Sequence, residues 1–143
     1  MSKTLNVLLA GFGGQGILFA GKTIAYSGLM DNKEISWLPS YGPEMRGGTC
    51  NCSVVISDES IGSPLVTQPD VLIAMNLPSL DKFVDAVVPG GTILVDSSMI
   101  SKKVERTDVN VYYIDATKIA DEKGLKGCEI IILVGKMFKE VGF

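Results

Sequence analysis

Apolar and polar positions alternate along this chain between two rhythms. Leu5-Asn6-Val7-Leu8-Leu9-Ala10 is nearly unbroken in apolar residues, as in a central parallel strand covered on both faces. It runs into Gly11-Phe12-Gly13-Gly14-Gln15-Gly16. From Gln15 to Leu29 the apolar residues return at helical spacing, with Ile17, Ala20, Gly21, Ile24, Ala25 and Gly28 on one face. The small members of that face let a helix lie close to a sheet, and either Gly28 or Asp31-Asn32 ends it. Glu34 to Pro39 is the second predicted strand, stopped by Pro39 because proline donates nothing to a ladder. Ser40 to Gly48 is a Gly-rich polar loop.

Thr49 to Ser57 alternates strictly. Cys50, Cys52, Val54 and Ile56 fall on one face and Asn51, Ser53, Val55 and Ser57 on the other, which predicts a half-buried strand. A strand joined so closely to its neighbours points to a mixed sheet. Pro64 to Pro69 is a connector. Val71 to Met75 is a buried strand, and Ser79 can cap a helix running to Val88 with Leu80, Phe83, Val84 and Val87 facing inward. Pro89-Gly90-Gly91 turns the chain into a strand at Thr92 to Asp96. A further strand at Val109 to Ile114 and a helix at Ala116 to Lys123 follow. Ile130 to Val141 fits a last helix, although its β-branched run also permits a strand. The alternation predicts an α/β fold: one three-layer α/β/α domain over residues 1–143, with a mainly parallel, mixed central sheet.

Composition narrows the chemistry. The 143 residues are 46% hydrophobic and 20% charged. A mean hydropathy of +0.30 fits a chain that turns apolar surface toward a partner. The net charge of −3, with no basic block, gives no footprint for nucleic acid. No apolar run is long enough for a membrane span, and the amino end enters the first strand directly, so no signal peptide is expected. There is no histidine, which removes a His base, a Ser/His or Cys/His dyad and any His metal ligand. Three cysteines without a CxxC spacing supply neither a disulfide framework nor a four-thiolate cluster, and suit a reducing cytoplasm.

Two motifs compete for the glycine-rich stretch. Gly11 to Gly16 satisfies GxGxxG, but a dinucleotide site also wants an acid at the end of the second strand, which here ends in Leu38-Pro39-Ser40. Gly16 to Thr23 satisfies GxxxxGK[ST], with Asp96 as a candidate magnesium-binding acid. A phosphate loop, however, needs its first glycine directly after the strand, and Ile17, Leu18, Phe19 and Ala20 are residues of a buried helix face. A free-standing nucleotide- or CoA-binding module also remains open.

A third reading joins two stretches. Gly-x-Gly-Gly-Gln-Gly followed by Ser40-Tyr41-Gly42-Pro43-Glu44-Met45-Arg46-Gly47-Gly48 resembles the gamma subunit, or fused gamma domain, of the 2-oxoacid:ferredoxin oxidoreductases. Val54 to Asp58, Pro69 to Ala74, Gly90 to Ser98 and Ala116 to Ala120 share the likeness, which covers Leu5 to about Gly124. It departs at Gly127-Cys128-Glu129-Ile130-Ile131, where the family tends to carry an Asn-Met pair and to continue further. The carboxy-terminal part is therefore expected to differ or to be shortened.

The resemblance implies one subunit of an enzyme that decarboxylates a 2-oxo acid oxidatively to its acyl-CoA and passes electrons to ferredoxin. It implies thiamine diphosphate, magnesium and iron–sulfur clusters on companion alpha, beta and delta (ferredoxin-like) subunits, with coenzyme A as co-substrate and no cofactor held by this chain alone. The absence of Gly-Asp-Gly and the three cysteines agree with that division. The residues expected to face the assembled active site are Gly11, Gly13, Gly14, Gln15, Gly16, Ser40, Tyr41, Gly42, Glu44, Arg46 and Gly47. Backbone N–H groups near Gly13 to Gly16 could receive a phosphate or carboxylate, and Gln15 suits an amide or carbonyl. Arg46 is the loop's one two-pronged donor for a carboxylate or phosphate, unless it pairs with Glu44 and only fixes the loop. Tyr41 and Pro43 read as packing and turn residues. Cys50 and Cys52 read as core, Trp37 as core or interface, and Asp96 as a loop cap.

Overall fold

The computed structural model describes residues 4–12, 17–30, 32–40, 49–59, 61, 66, 68–124 and 129–141. Its described elements are β1 (Thr4–Phe12), α1 (Ile17–Met30), β2 (Glu34–Ser40), β3 (Thr49–Ser57), β4 (Val71–Ala74), α2 (Leu77–Phe83), β5 (Thr92–Asp96), β6 (Asn110–Ile114), α3 (Ala116–Glu122) and α4 (Glu129–Val141). Six described strands form one sheet in the order β2-β3-β1-β4-β5-β6. β3 runs antiparallel to both neighbours, and β1, β4, β5 and β6 run parallel. The expected mixed, mainly parallel sheet is what forms.

Alternation along each strand divides the core in two. Val7, Leu9, Cys52, Val54, Ile56, Val71, Ile73 and Leu94 face a layer that contains α1, α3 and α4. Leu8, Val55, Leu72, Ile93 and Val95 face Leu80 of α2, Val87, Ile100 and Val66. Helices and connectors thus cover both faces, which explains the near-continuous apolar runs of β1, β4 and β5.

α1 lies close to β2 and β3 because its inner face is small. A Cβ added at Gly21 would stand 2.5 Å from Cys52 Sγ, and one added at Gly28 would meet Ile35 and Ile56. Gly28 is therefore a packing residue inside the helix and not its end. The stop is made at Asn32, which adopts the left-handed region at φ 59°. Its N–H donates to Leu29 O and that of Lys33 to Gly28 O, which is the paired bond of a Schellman cap.

Three expectations need correction. Pro39 does not stop β2, which continues to Ser40. Among the described residues β2 is the outermost strand, with a ladder partner on one side only, and that is where a sheet tolerates proline. β3 is buried on both faces, not half-buried: Ser53 and Ser57 are as enclosed as Val54. Their hydroxyls are satisfied internally, Ser53 accepting from Val66 N–H at 3.3 Å and Ser57 bonding Thr4 at 2.9 Å. The cap of α2 is Asn76 and not Ser79, and the helix gives way to a single 3-10 turn at Val84–Ala86 before reaching Val88. The Leu80, Phe83, Val84 and Val87 face is nonetheless the one turned inward. The apolar segment near the carboxy end forms the expected helix and not a strand: it is α4, with Leu133, Val134 and Met137 in the core.

Candidate functional site

The parallel strands all end on one rim of the sheet, and strand register shows which segments leave it there. Phe12, the last residue of β1, pairs with Thr49, the first of β3. Ser40, the last of β2, pairs with Asn51. The glycine-rich segment after Phe12 and the segment joining Ser40 to Thr49 therefore depart from neighbouring points. On the other side of β1, Met75 N–H donates to Ala10 O at 2.9 Å, extending the β1–β4 ladder. Ala10 is level with Ala74, so Asn76 is level with Phe12.

β1 leads to α1 on one face, whereas β4 leads to α2 on the other. Adjacent parallel strands that send their connections to opposite faces open a crevice beyond their carboxyl ends, the usual place for a ligand in an open α/β sheet.

Of the expected site residues, Gly11 is buried in β1 opposite Cys50, and Ser40 ends β2. Gly13, Gly14, Gln15, Gly16, Tyr41, Gly42, Glu44, Arg46 and Gly47 lie outside the described residues, as do Pro43 and Cys128. Cys52 is fully buried beneath α1. Trp37, 37% exposed on the edge strand, puts its indole against Gly21.

Asp96 is wholly buried where β5 reaches the rim. It accepts from Ser98 N–H at 3.1 Å, Thr117 N–H at 3.3 Å and the Thr117 hydroxyl at 2.6 Å. It ties the start of α3 to β5, the capping role expected of it.

Asn76 was not singled out by the sequence reading. Its signal was present: an Asn two residues before a proline marks a helix start with proline in the first turn.

Both competing motif readings fail on geometry. Ile17 to Thr23 of the GxxxxGK[ST] match are turns of α1, with Lys22 exposed in mid-helix. The dinucleotide arrangement wants β2 beside β1 with an acid at its carboxyl end, and here antiparallel β3 separates them. A cleft of about 410 Å³ lies between α2 and residues 102–106, but no expected site residue lines it. Two of its cations pair locally: Lys102 with Asp81 at 2.8 Å, and Arg106 with Asp108 at 2.7 Å. Those bonds hold the Lys102 ammonium and the Arg106 guanidinium above their ordinary pKa values and the Asp108 carboxyl below its own. Among the described residues, no three Cys, Asp or Glu side chains gather as a metal-holding group, and no helix is long and apolar enough to cross a membrane.

Known proteins give the same picture. Ketoisovalerate oxidoreductase subunit VorA of Methanothermobacter thermautotrophicus is 45% identical over 133 residues, covering 93% of this chain and 28% of that one. 2-Oxoglutarate synthase subunit KorC of Methanocaldococcus jannaschii is 44% identical over 120 residues, 82% of this chain and 64% of that one. The chain thus spans less than two thirds of either relative's length. The gamma subunit of the keto/oxoacid ferredoxin oxidoreductase of Geobacter sulfurreducens superposes with a TM-score of 0.87 at 28% identity, over 98% of this chain and 77% of that one. Residues 6–143 match the family described as pyruvate ferredoxin/flavodoxin oxidoreductase, and the chain belongs to that family.

Proposed function

We propose that residues 1–143 are one gamma-type domain of a multi-subunit 2-oxoacid:ferredoxin oxidoreductase. In this reading the complex converts a 2-oxo acid and coenzyme A to an acyl-CoA and passes the electrons to ferredoxin. Thiamine diphosphate, magnesium and iron–sulfur clusters belong to companion alpha, beta and delta-type chains in the cytoplasm. The described residues of this chain do not fit those groups: Cys52 is enclosed in the core and no acidic cluster is available.

The observation that carries the reading is the register at the rim. Phe12 beside Thr49 and Ser40 beside Asn51 bring the departure points of the two family-like motifs together. One surface built from both can then meet a companion chain. The role assigned to it is to receive the acyl acceptor or the oxo acid. Backbone N–H groups of Gly13 to Gly16 bind an anionic or carbonyl oxygen, Gln15 orients it, and Arg46 clamps a phosphate or carboxylate. Gly11, Ser40, Tyr41, Gly42, Glu44 and Gly47 shape the surface.

Affinity purification tests the assembly: larger thiamine-binding and ferredoxin-like chains should accompany this one. Within that complex, Arg46→Ala should raise the apparent KM for coenzyme A or the oxo acid about tenfold or more, the loss of a charged hydrogen bond. An intact complex with unchanged KM values rejects the direct role of Arg46. A chain that purifies alone and binds its ligand unaided rejects the subunit reading.

A further inference from the structure

Where β4 passes into α2, two buried side chains each carry a polar atom that no described residue satisfies. Asn76 is 2% exposed and Ser79 fully buried. Among the described residues, Asn76 Nδ2 and Ser79 Oγ have no hydrogen-bond partner. The amide orientation is fixed: Ser79 N–H donates to Asn76 Oδ1 at 2.9 Å, and a backbone N–H can meet only the oxygen. Nδ2 is therefore left as a donor with nothing to receive it. Two orphaned polar atoms within one turn go against the strong rule that buried polar groups are paired. The buried hydroxyls of Ser53 and Ser57 obey it.

Position supplies the second observation. Asn76 is level with Phe12 across the β1–β4 ladder, so the pair borders the point where the glycine-rich segment leaves β1. That is the switch point of the sheet.

We propose that Asn76 and Ser79 form a receptor for one acceptor oxygen, a carbonyl or carboxylate oxygen of coenzyme A or of the 2-oxo acid. The proposal rests on the functional reading above and extends it to residues that reading does not include. Asn76 Nδ2 donates the first bond and the Ser79 hydroxyl the second. Both atoms are buried, and a hydrogen bond made there counts for more than one made in water. The two side chains make the site; α2, seven residues long, adds only their spacing. Fixed donors of this kind discriminate well, because a ligand lacking the oxygen leaves them unpaired.

The test uses the assembled complex and two variants. Ser79→Ala deletes a hydroxyl that has no partner in the fold, so the melting temperature should hold or rise. Asn76→Asp keeps the acceptor for Ser79 N–H and removes the donor. Calorimetric titration with coenzyme A alone, and with 2-oxoisovalerate or 2-oxoglutarate alone, reads the dissociation constants. Both variants should weaken one of these ligands about tenfold. A change confined to coenzyme A assigns the oxygen to it, and a change confined to the oxo acid assigns it to the carboxylate or keto group. Wild-type binding retained unchanged in both variants overturns this assignment alone. So does a clear fall in the melting temperature of Ser79→Ala, which would show that the hydroxyl has a partner within the protein. A wild-type complex that binds none of the three overturns the functional reading and this proposal together.

Discussion

Gly21 gives the sharpest test of how α1 is seated. Its added Cβ would lie 2.5 Å from Cys52 Sγ and 3.1 Å from Trp37 Nε1. Ordinary contact is about 3.5–4.0 Å, so the sulfur or the helix must yield by about 1 Å. Cys52 is enclosed at 0% exposure, while Trp37 sits partly exposed on the edge strand and can move outward. Overpacking of this kind costs about 1–3 kcal/mol, and alanine returns about 1 kcal/mol through helix propensity. Gly21→Ala should therefore change stability by about 0 to 2 kcal/mol in the unfavourable direction. Gly135→Ala isolates the clash, because that residue is exposed in α4 and its added Cβ meets nothing within 4 Å. It should gain about 1 kcal/mol. Urea unfolding of the two variants should thus differ by about 1–3 kcal/mol at equal m-values. Removing the obstacle completes the cycle: in a Cys52→Ala background the penalty at Gly21 should shrink by about 1 kcal/mol or more. Equal stabilisation at both glycines, or no coupling to Cys52, would refute the close seating of α1 on β3.

Asp96→Ala should destabilise by about 1–3 kcal/mol, since it removes the buried acceptor for the Thr117 hydroxyl and for two partly buried N–H groups; thermal unfolding that matches wild type would contradict the capping role. Asp108 should contribute to acid stability. The bond from Arg106 holds its pKa below the ordinary 3.8, so its contribution is complete above that value and fades as pH falls through the lowered folded value. Asp108→Asn should then leave stability at pH 7 slightly lower and flatten the loss below about pH 4; an unaltered acid limb in urea titrations across that range excludes the linkage.

The layered fold was readable because each strand declares its burial. Leu5 to Ala10, Val71 to Ala74 and Thr92 to Asp96 are apolar on successive residues, and only a strand covered on both sides uses that pattern. β3 misled because Ser53 and Ser57 look solvent-facing. A hydroxyl can be buried when a neighbour's N–H or another hydroxyl meets it, and alternation of polarity cannot report such a partner. Pro39 misled for a related reason: its cost depends on whether the strand is central or outermost, and strand order is a property of the whole sheet. Gly28 was ambiguous because glycine serves both helix ends and close packing. Only Ile35 and Ile56, remote in sequence, decide between the two.

The site was legible in a different way. Gly11 to Gly16 matched two general motifs as well as the family pattern, and spacing alone could not choose among them. Topology does choose. β3 enters the sheet between β1 and β2, so the second strand cannot present an acid beside the glycine segment. The same insertion gives the Ser40–Thr49 connection its position, because β3 must begin where β2 and β1 end. A reversal of one strand thus removes the dinucleotide geometry and, in the same step, sets two loop origins side by side on the rim. Asn76 borders that rim from the opposite side of β1, and only the packed chain reveals that its Nδ2 is left without a partner among the described residues. Sequence shows which chemistry a segment can offer; the order of strands decides which segments can offer it together.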